Sequence, residues 1–205
     1  MLYQPAHFNV AEHVHARALM RAHPLATLVS AAGDDPLISH APLMLAEEGE
    51  SMRLLGHLAA MNPHAQALVE GSAVTAIFHG PQGYVSPAWY TVNKAVPTWN
   101  YMVVHARGVV RRIDDSDGKE RVLKALIDRH DAPYHAQWDA LDETYREGMK
   151  RGIVGFEIAV DALAVKFKLS QNRSAADRAG VHEGHAAGDA AAQGLAAWMR
   201  TLGLA

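Results

Sequence analysis

Hydrophobic and polar positions repeat with two different periods along this chain, and the switches between them mark out its elements. Val10, Val14, Ala18 and Leu19 share a stripe at helical spacing, Asn9 and Glu12 have the separation of a capping box, and Pro24 closes the segment. That pattern predicts a first helix. Apolar and β-branched runs follow at 25–31, 37–45 and 52–58, separated by Gly33-Asp34-Asp35-Pro36 and Glu47-Glu48-Gly49-Glu50. Turn residues between strand-like runs predict an antiparallel meander. Asn62-Pro63 offers an N-cap with proline at the first helical position, so a short helix is expected over 65–69, ended by Gly71.

Strand character returns at 73–79, and Gly80-Pro81-Gln82-Gly83 reads as a turn into a short strand at 84–86. The longest strand candidate is 99–113. Val122, Leu123, Leu126 and Ile127, then Leu141, Tyr145 and Met149, recur at helical spacing, which predicts two helices between 114 and 152 broken at Ala132-Pro133. Strands at 153–160 and 164–169 come next. The last thirty residues are alanine-rich and read as helical, with a stripe of Leu195, Trp198, Met199 and Leu202. Six or seven strands with a small inserted helix predict a closed or partly closed β-barrel with added helices. The expected division is a main domain over 1–170, with inserted helices at about 114–151, and a helical extension over 171–205.

Composition narrows the chemistry. The chain has 205 residues and no cysteine, which removes thiol nucleophiles, iron–sulfur clusters, cysteine zinc sites and disulfides and points to a reducing, cytoplasmic setting. The first residues lack a basic stretch followed by an apolar one, so neither export nor a membrane span is expected. With 19 basic and 22 acidic side chains, the surface as a whole has no attraction for nucleic acid, although a local patch could bind DNA. The sequence contains no GxSxG, GxGxxG, GxxxxGK or HExxH pattern, and no residue identifies itself as catalytic. His182 and His185 flank Glu183 and Gly184 in what reads as a polar loop; no metal site is expected there or elsewhere.

Three segments carry candidate chemistry. The run from Tyr84 to Tyr101 concentrates Tyr84, Trp89, Tyr90, Trp99 and Tyr101 around Ser86, Thr98 and Asn100, with Pro87 and Pro97 fixing the loop between them. Flat apolar walls with a few polar groups suit a planar heteroaromatic ligand, while for a generic sequence such rings are core and interface residues that cap a barrel end. Gly56-His57-Leu58 runs into Asn62-Pro63, where a helix start could receive a phosphate beside His57, or could simply be capped by Asn62. In the third, Lys166 to Arg173, alternation sends Lys166 and Lys168 to one side and Phe167 and Leu169 to the other, so the lysines could be solvated.

These segments, in this order, resemble the PaiB family, described as FMN-binding negative transcriptional regulators of the flavin-binding split-barrel superfamily. The matching stretches are Met1-Leu2-Tyr3-Gln4-Pro5, Ser39-His40-Ala41-Pro42, Gly56-His57-Leu58-Ala59 with Asn62-Pro63, Tyr84-Val85-Ser86-Pro87-Ala88-Trp89-Tyr90, Val96-Pro97-Thr98-Trp99-Asn100-Tyr101 with Val104-His105-Ala106-Arg107-Gly108, and Lys168-Leu169-Ser170-Gln171-Asn172. The resemblance implies a homodimer of six-stranded antiparallel split barrels with FMN in a groove at the subunit interface. It implies cofactor contacts from His40, His57, Leu58, Asn62, Ser86, Trp89, Tyr90, Thr98, Trp99, Asn100, Lys168, Gln171 and Asn172. Relatives often place a basic residue where this chain has Ala59, Ala60 and Met61, leaving Lys168, Gln171 or Arg173 as the donors for a phosphate. It further implies transcriptional repression and allows flavin-dependent oxidoreduction. The alternative within the same superfamily is a haem-binding or haem-degrading protein, with His182 and His185 as the places to look for an axial ligand.

Overall fold

The computed structural model describes residues 3, 5–8, 13–33, 35–49 and 51–205. Asn9, Val10 and Glu12 of the predicted helix start, Asp34 and Glu50 of the two turns, and Met1, Leu2 and Gln4 of the opening block lie outside them. In chain order the elements are α1 (His13–Ala22), β1 (Leu25–Ala32), β2 (Asp35–Pro42), β3 (Met44–Glu48), β4 (Ser51–Ala59), α2 (Pro63–Ala67), β5 (Ala73–Val85), β6 (Thr98–Ile113), α3 (Ser116–His130), α4 (His135–Ala140), α5 (Glu143–Arg151), β7 (Ile153–Lys168), α6 (Ala175–Ala186) and α7 (Ala190–Thr201). The result is a mixed α+β fold on one seven-stranded sheet, rather than the six strands the resemblance implied.

Several predicted boundaries move for identifiable reasons. The run 37–45 divides at Leu43, which is buried and bonds its N–H to the Pro24 carbonyl at 2.9 Å. Gly80 to Gly83 make no turn; β5 runs straight through them. The strands expected at 153–160 and 164–169 are a single β7. A third helix, α4, follows the break at Ala132–Tyr134; the stretch expected to be helical over 171–205 carries α6 and α7, and within it the segment around His182 and His185 is helix rather than a polar loop.

The chain divides into two units: residues 1–19, 79–104 and 164–205 form one, and residues 20–78 and 105–163 the other. In the second unit the strands lie in the order β2-β1-β5-β6-β7-β4-β3. β1 pairs antiparallel with β2 (Leu28 opposite Ser39) and with β5 (Leu28 opposite Ala76), and β4 pairs antiparallel with β3 and β7 (Gly56 opposite Phe156). β2 also approaches β4, bringing the two ends of the sheet towards each other. Leu28, Leu54, Phe78, Phe156 and Ile158 are fully buried inside, each worth about 1.5–3 kcal/mol of hydrophobic stabilisation.

Helices α3, α4 and α5 are tied together through one carboxylate. Glu120 accepts from the Trp138 indole N–H at 2.6 Å and pairs with Lys150 at 3.2 Å, and Lys150 also meets Glu147 at 2.6 Å. Burial alone would raise the Glu120 pKa, but the hydrogen bonds from Trp138 and Lys150, with the charges of Lys150 and Lys124, hold it below the ordinary carboxylate range.

The first unit contains residues 79–85 of β5, 98–104 of β6 and 164–168 of β7, with α6 and α7 against them. Phe167, Leu195 and Met199 are fully buried, and the Trp198 ring meets Phe167 edge-on at 5.5 Å. Lys166 is not solvated as the alternation allowed. It is 7% exposed, donates to the Tyr3 carbonyl at 2.9 Å, and its ammonium sits 5.3 and 5.4 Å from the Tyr3 and Tyr101 rings.

Candidate functional site

In the first unit the aromatic and polar run builds a cavity. β5 ends at Val85, and Ser86 caps a single 3₁₀ turn over Pro87–Trp89, its hydroxyl accepting from the Ala88 N–H at 3.2 Å. That turn delivers Tyr90 to the interior, 8% exposed. The following residue is anchored as well: Thr91 donates from both its backbone N–H (2.8 Å) and its hydroxyl (2.7 Å) to one oxygen of Asp177 on α6. Those two bonds are the main reason the Asp177 carboxyl lies below its usual pKa.

Of the residues the sequence singled out, Tyr90, Thr98, Asn100, Lys168 and Asn172 line one cavity of about 250 Å³. Ser170, Arg173 and the apolar Phe8, Val96 and Pro97 complete its wall. Asn100 is fully buried at the floor. Its amide donates to His185 Nε2 at 3.2 Å and accepts from the Ser170 hydroxyl at 3.2 Å. His185 is itself buried, and burial, with the charge of His182, lowers its pKa, which favours the neutral imidazole able to accept this bond. Lys168 donates to the Thr98 hydroxyl, and burial lowers its pKa too. The Tyr90 hydroxyl is buried and has no hydrogen-bond partner among the described residues.

Four predicted residues stand outside that wall. Ser86 serves as the cap already described. Trp89 lies flat on α6, where Gly184 leaves room for its ring, and meets His185 edge-on at 5.4 Å. Trp99 is 53% exposed and paired edge-on with Tyr84 at 6.2 Å. Gln171 folds back on its own strand end, accepting from the Leu169 N–H at 2.7 Å and donating to the Phe167 carbonyl.

The remaining candidates belong to the second unit. His40 is exposed and bonds Thr27, directly opposite on β1, at 3.1 Å. Leu58 is core. His57 is partly buried, which lowers its pKa, and its Nδ1 has no hydrogen-bond partner among the described residues. Asn62 caps α2 through the His64 N–H at 2.9 Å and donates to Ser39 at 3.1 Å. Pro63 has no N–H and the Ala65 N–H bonds the Asn62 carbonyl, so the first turn of this five-residue helix offers little to a phosphate.

Sequence reasoning left Ser170, Phe8 and the pairing of His185 with Asn100 unassigned to the site, and named Arg173 only as an alternative. Ser170 adopts φ +65°, a conformation non-glycine residues rarely take, and this turns the chain after β7 so that Lys168 and Arg173 face one space. The other contacts join residues far apart in the chain and leave no local signal. The histidines of α6 are both engaged: His185 with Asn100, His182 with Arg200 at 3.1 Å.

Comparison with known proteins gives this site its context. Residues 2–162 match the family described as "Putative FMN-binding domain". The chain is 31% identical over 185 residues to protease synthase and sporulation protein PAI 2 of Bacillus subtilis, covering 89% of this chain and 88% of that protein. It is 34% identical over 220 residues to an uncharacterized protein of Emericella nidulans, covering 83% and 88%. Among solved structures, the FAD and haem binding protein of Mycobacterium smegmatis aligns with a TM-score of 0.61 at 19% identity, over 78% of this chain and 73% of that one. A flavocytochrome from Azotobacter vinelandii aligns at 0.60 and 18% identity, over 78% and 69%. At such identities the structural likeness speaks to the fold alone, a mixed α+β fold similar to flavin-binding split barrels. The matched domain stops short of Lys168, Ser170, Asn172 and Arg173, so the cavity is finished by residues beyond it. With residues 2–162 matched to the domain and a relative 31% identical over 89% of this chain and 88% of its own length, this chain belongs to the PaiB family and carries that family's FMN-binding domain.

Proposed function

We propose that the chain is a cytoplasmic flavoprotein that works as a homodimer, holding FMN at a site to which the cavity of the first unit contributes. The observation that carries this reading is Tyr90, which lines an aromatic and polar cavity and whose buried hydroxyl has no hydrogen-bond partner among the described residues, in a chain whose family domain is FMN-binding. A buried polar atom left unpaired costs about 1–3 kcal/mol, which a ligand acceptor would recover. At about 250 Å³ the cavity falls below the roughly 300–1,000 Å³ usual for a complete small-molecule site. It therefore suits one portion of a flavin, and a second copy of the chain would supply the remaining walls. The exposed Tyr84 and Trp99 pair is the apolar surface we assign to that contact.

In this reading Tyr90, Thr98, Lys168 and Asn172 touch the cofactor, while Ser86, Trp89, Asn100 and Gln171 hold those groups in place. Bound FMN would supply redox reactivity, and the protein would supply position and a defined electrostatic setting. The regulatory role implied by the PaiB resemblance is taken as secondary to ligand binding, since a net charge of −3 gives no general affinity for DNA.

Titration of flavin-free protein with FMN, followed by quenching of flavin fluorescence, tests the proposal. Saturation at one flavin per chain, weakened several-fold by Tyr90→Phe with the melting temperature preserved, is the expected result. Absence of saturable flavin binding would overturn it. A mobility-shift assay at two salt concentrations tests the regulatory part, and salt-sensitive binding to DNA is the result it requires.

A further inference from the structure

The donors and acceptors facing the cavity are unequally matched. Two side chains there carry positive charge, Lys168 and Arg173, and no carboxylate is among the lining residues. The Arg173 guanidinium lies over the Tyr90 ring, 4.3 Å from its centroid. Stacking engages the face of a guanidinium and leaves its N–H edge available, and that edge has neither a hydrogen bond nor an ion pair among the described residues. The residue is held by its backbone instead, its N–H bonding the Ser170 carbonyl at 3.0 Å and its carbonyl accepting from Arg178 at 2.9 Å. Asp177 is near enough for the charge of Arg173 to act on it, but one of its oxygens is taken up twice by Thr91 and its side chain does not line the cavity. Tyr90 lines the same cavity, and its buried hydroxyl, a third donor, has no hydrogen-bond partner among the described residues.

We propose that this cavity is an oxyanion-binding site, in which the Lys168 ammonium, the Arg173 guanidinium and the Tyr90 hydroxyl together receive the phosphate or carboxylate of a small-molecule ligand. Donors from three residues that line one cavity match the several acceptors of an oxyanion, and hydrogen bonds to an ionised group are about twice as strong as neutral ones. A neutral ring edge would leave both cations uncompensated. An anion would also reverse the effect of burial on Lys168, whose pKa lies below that of a free lysine. The proposal rests on the flavin reading only in that the phosphate of FMN is one source of such an anion; an anionic second substrate is the other.

The experiment uses the full chain freed of flavin, titrated calorimetrically with inorganic phosphate, FMN and riboflavin, alongside Arg173→Met, Lys168→Met and Tyr90→Phe. Arg173→Lys serves as a control that keeps the charge but not the fork, and thermal melting verifies that each variant folds. Saturable phosphate binding by the wild type, weakened at least tenfold in the two methionine variants, severalfold in Tyr90→Phe and partly retained in Arg173→Lys, is expected. If phosphate competes with FMN and the preference for FMN over riboflavin collapses in Arg173→Met, the flavin phosphate is the source. If phosphate binds the FMN-loaded protein and FMN affinity is unchanged in Arg173→Met, the anion belongs to a second substrate. Phosphate binding without binding of either flavin would uphold the oxyanion site and remove the flavin reading. No saturable phosphate binding by the wild type, or binding unchanged in both methionine variants, would overturn the proposal.

Discussion

Gly184 sets two opposing effects against each other in one substitution. It lies within α6, where alanine is favoured over glycine by about 1 kcal/mol, so Gly184→Ala at an unhindered site would stabilise the protein. Here an added Cβ would stand 2.4 Å from Trp89 Cδ2 and Cε2 and 2.7 Å from Cζ2. Carbon atoms in good contact sit about 3.5–4.0 Å apart, so the ring must retreat by roughly 1 Å or rotate off the helix. Such overpacking costs about 1–3 kcal/mol, and displacing Trp89 from the edge of His185 forfeits a further ~0.5–1.5 kcal/mol. Packing outweighs propensity, and Gly184→Ala should lose about 1–3 kcal/mol net. Urea unfolding followed by tryptophan fluorescence and by circular dichroism measures this, with the exposed Ala179→Gly as the control for propensity alone. Gly180→Ala should be worse, because there the Cβ would meet the Trp89 carbonyl oxygen at 2.1 Å and backbone cannot swing aside. A Gly184→Ala protein as stable as the wild type would show that Trp89 is loosely seated and that α6 does not fix the position of Tyr90.

Other expectations follow from the same reasoning. Glu120 has a folded-state pKa below the 4.5 of the free group, so its contribution is present above that pH and lost as pH falls through the folded value; urea midpoints of Glu120→Gln and wild type should differ at neutral pH and converge in acid. His64 is 2% exposed, bonded to Ser30 at 3.0 Å, and burial holds its pKa below 6.5. Its contribution is therefore complete above pH 6.5 and declines below it, and His64→Gln should flatten the fall in stability between about pH 7 and 5, an effect that a pH series of melts would detect. Gly108→Ala would place a Cβ 2.1 Å from the Ala159 carbonyl oxygen on β7, and a loss of more than about 3 kcal/mol, or failure to accumulate as folded protein, is expected; a melting temperature near that of the wild type would contradict the close approach of β6 to β7.

What could be read from the sequence was what is decided locally. Asn62 before Pro63 gave the cap of α2 because an N-cap is settled within three residues, and Ser86 before Pro87 behaves in the same way. Gly80 to Gly83 misled because glycine and proline have two uses. Here the missing side chains let Leu19, Met102, Leu195 and His185 approach β5, where a Cβ on Gly80 would lie 2.5 Å from Leu19 and one on Gly83 would lie 3.1 Å from Leu195. The same ambiguity made the stretch around His182 and His185 read as a loop inside an extension otherwise expected to be helical: Gly180 and Gly184 lower helix propensity, yet α6 needs them to seat Trp89. Lys166 looked like a solvated residue of an alternating strand, and only its contacts with Tyr3 and Tyr101 account for its burial. In the candidate site Tyr90, Thr98 and Lys168 were legible from residue type and order. Arg173 and the His185 support of Asn100 depend on contacts between distant parts of the chain, which no spacing in the sequence encodes.

The division of the chain into interleaved stretches also bears on the order in which the protein can assemble during synthesis. The walls of the cavity come from Phe8, from residues 90–100 and from residues 168–173, so a ribosome has polymerised most of the chain before the last wall exists. Strands β1 to β4 have their turn partners close in sequence and can pair early, whereas the unit holding the cavity must wait for segments separated by long intervening stretches, a costly closure that slows folding. Until then the residues that will line the cavity face water, and a nascent chain released before β7 and α6 are complete carries the matched domain almost entire and still lacks the cavity's last wall.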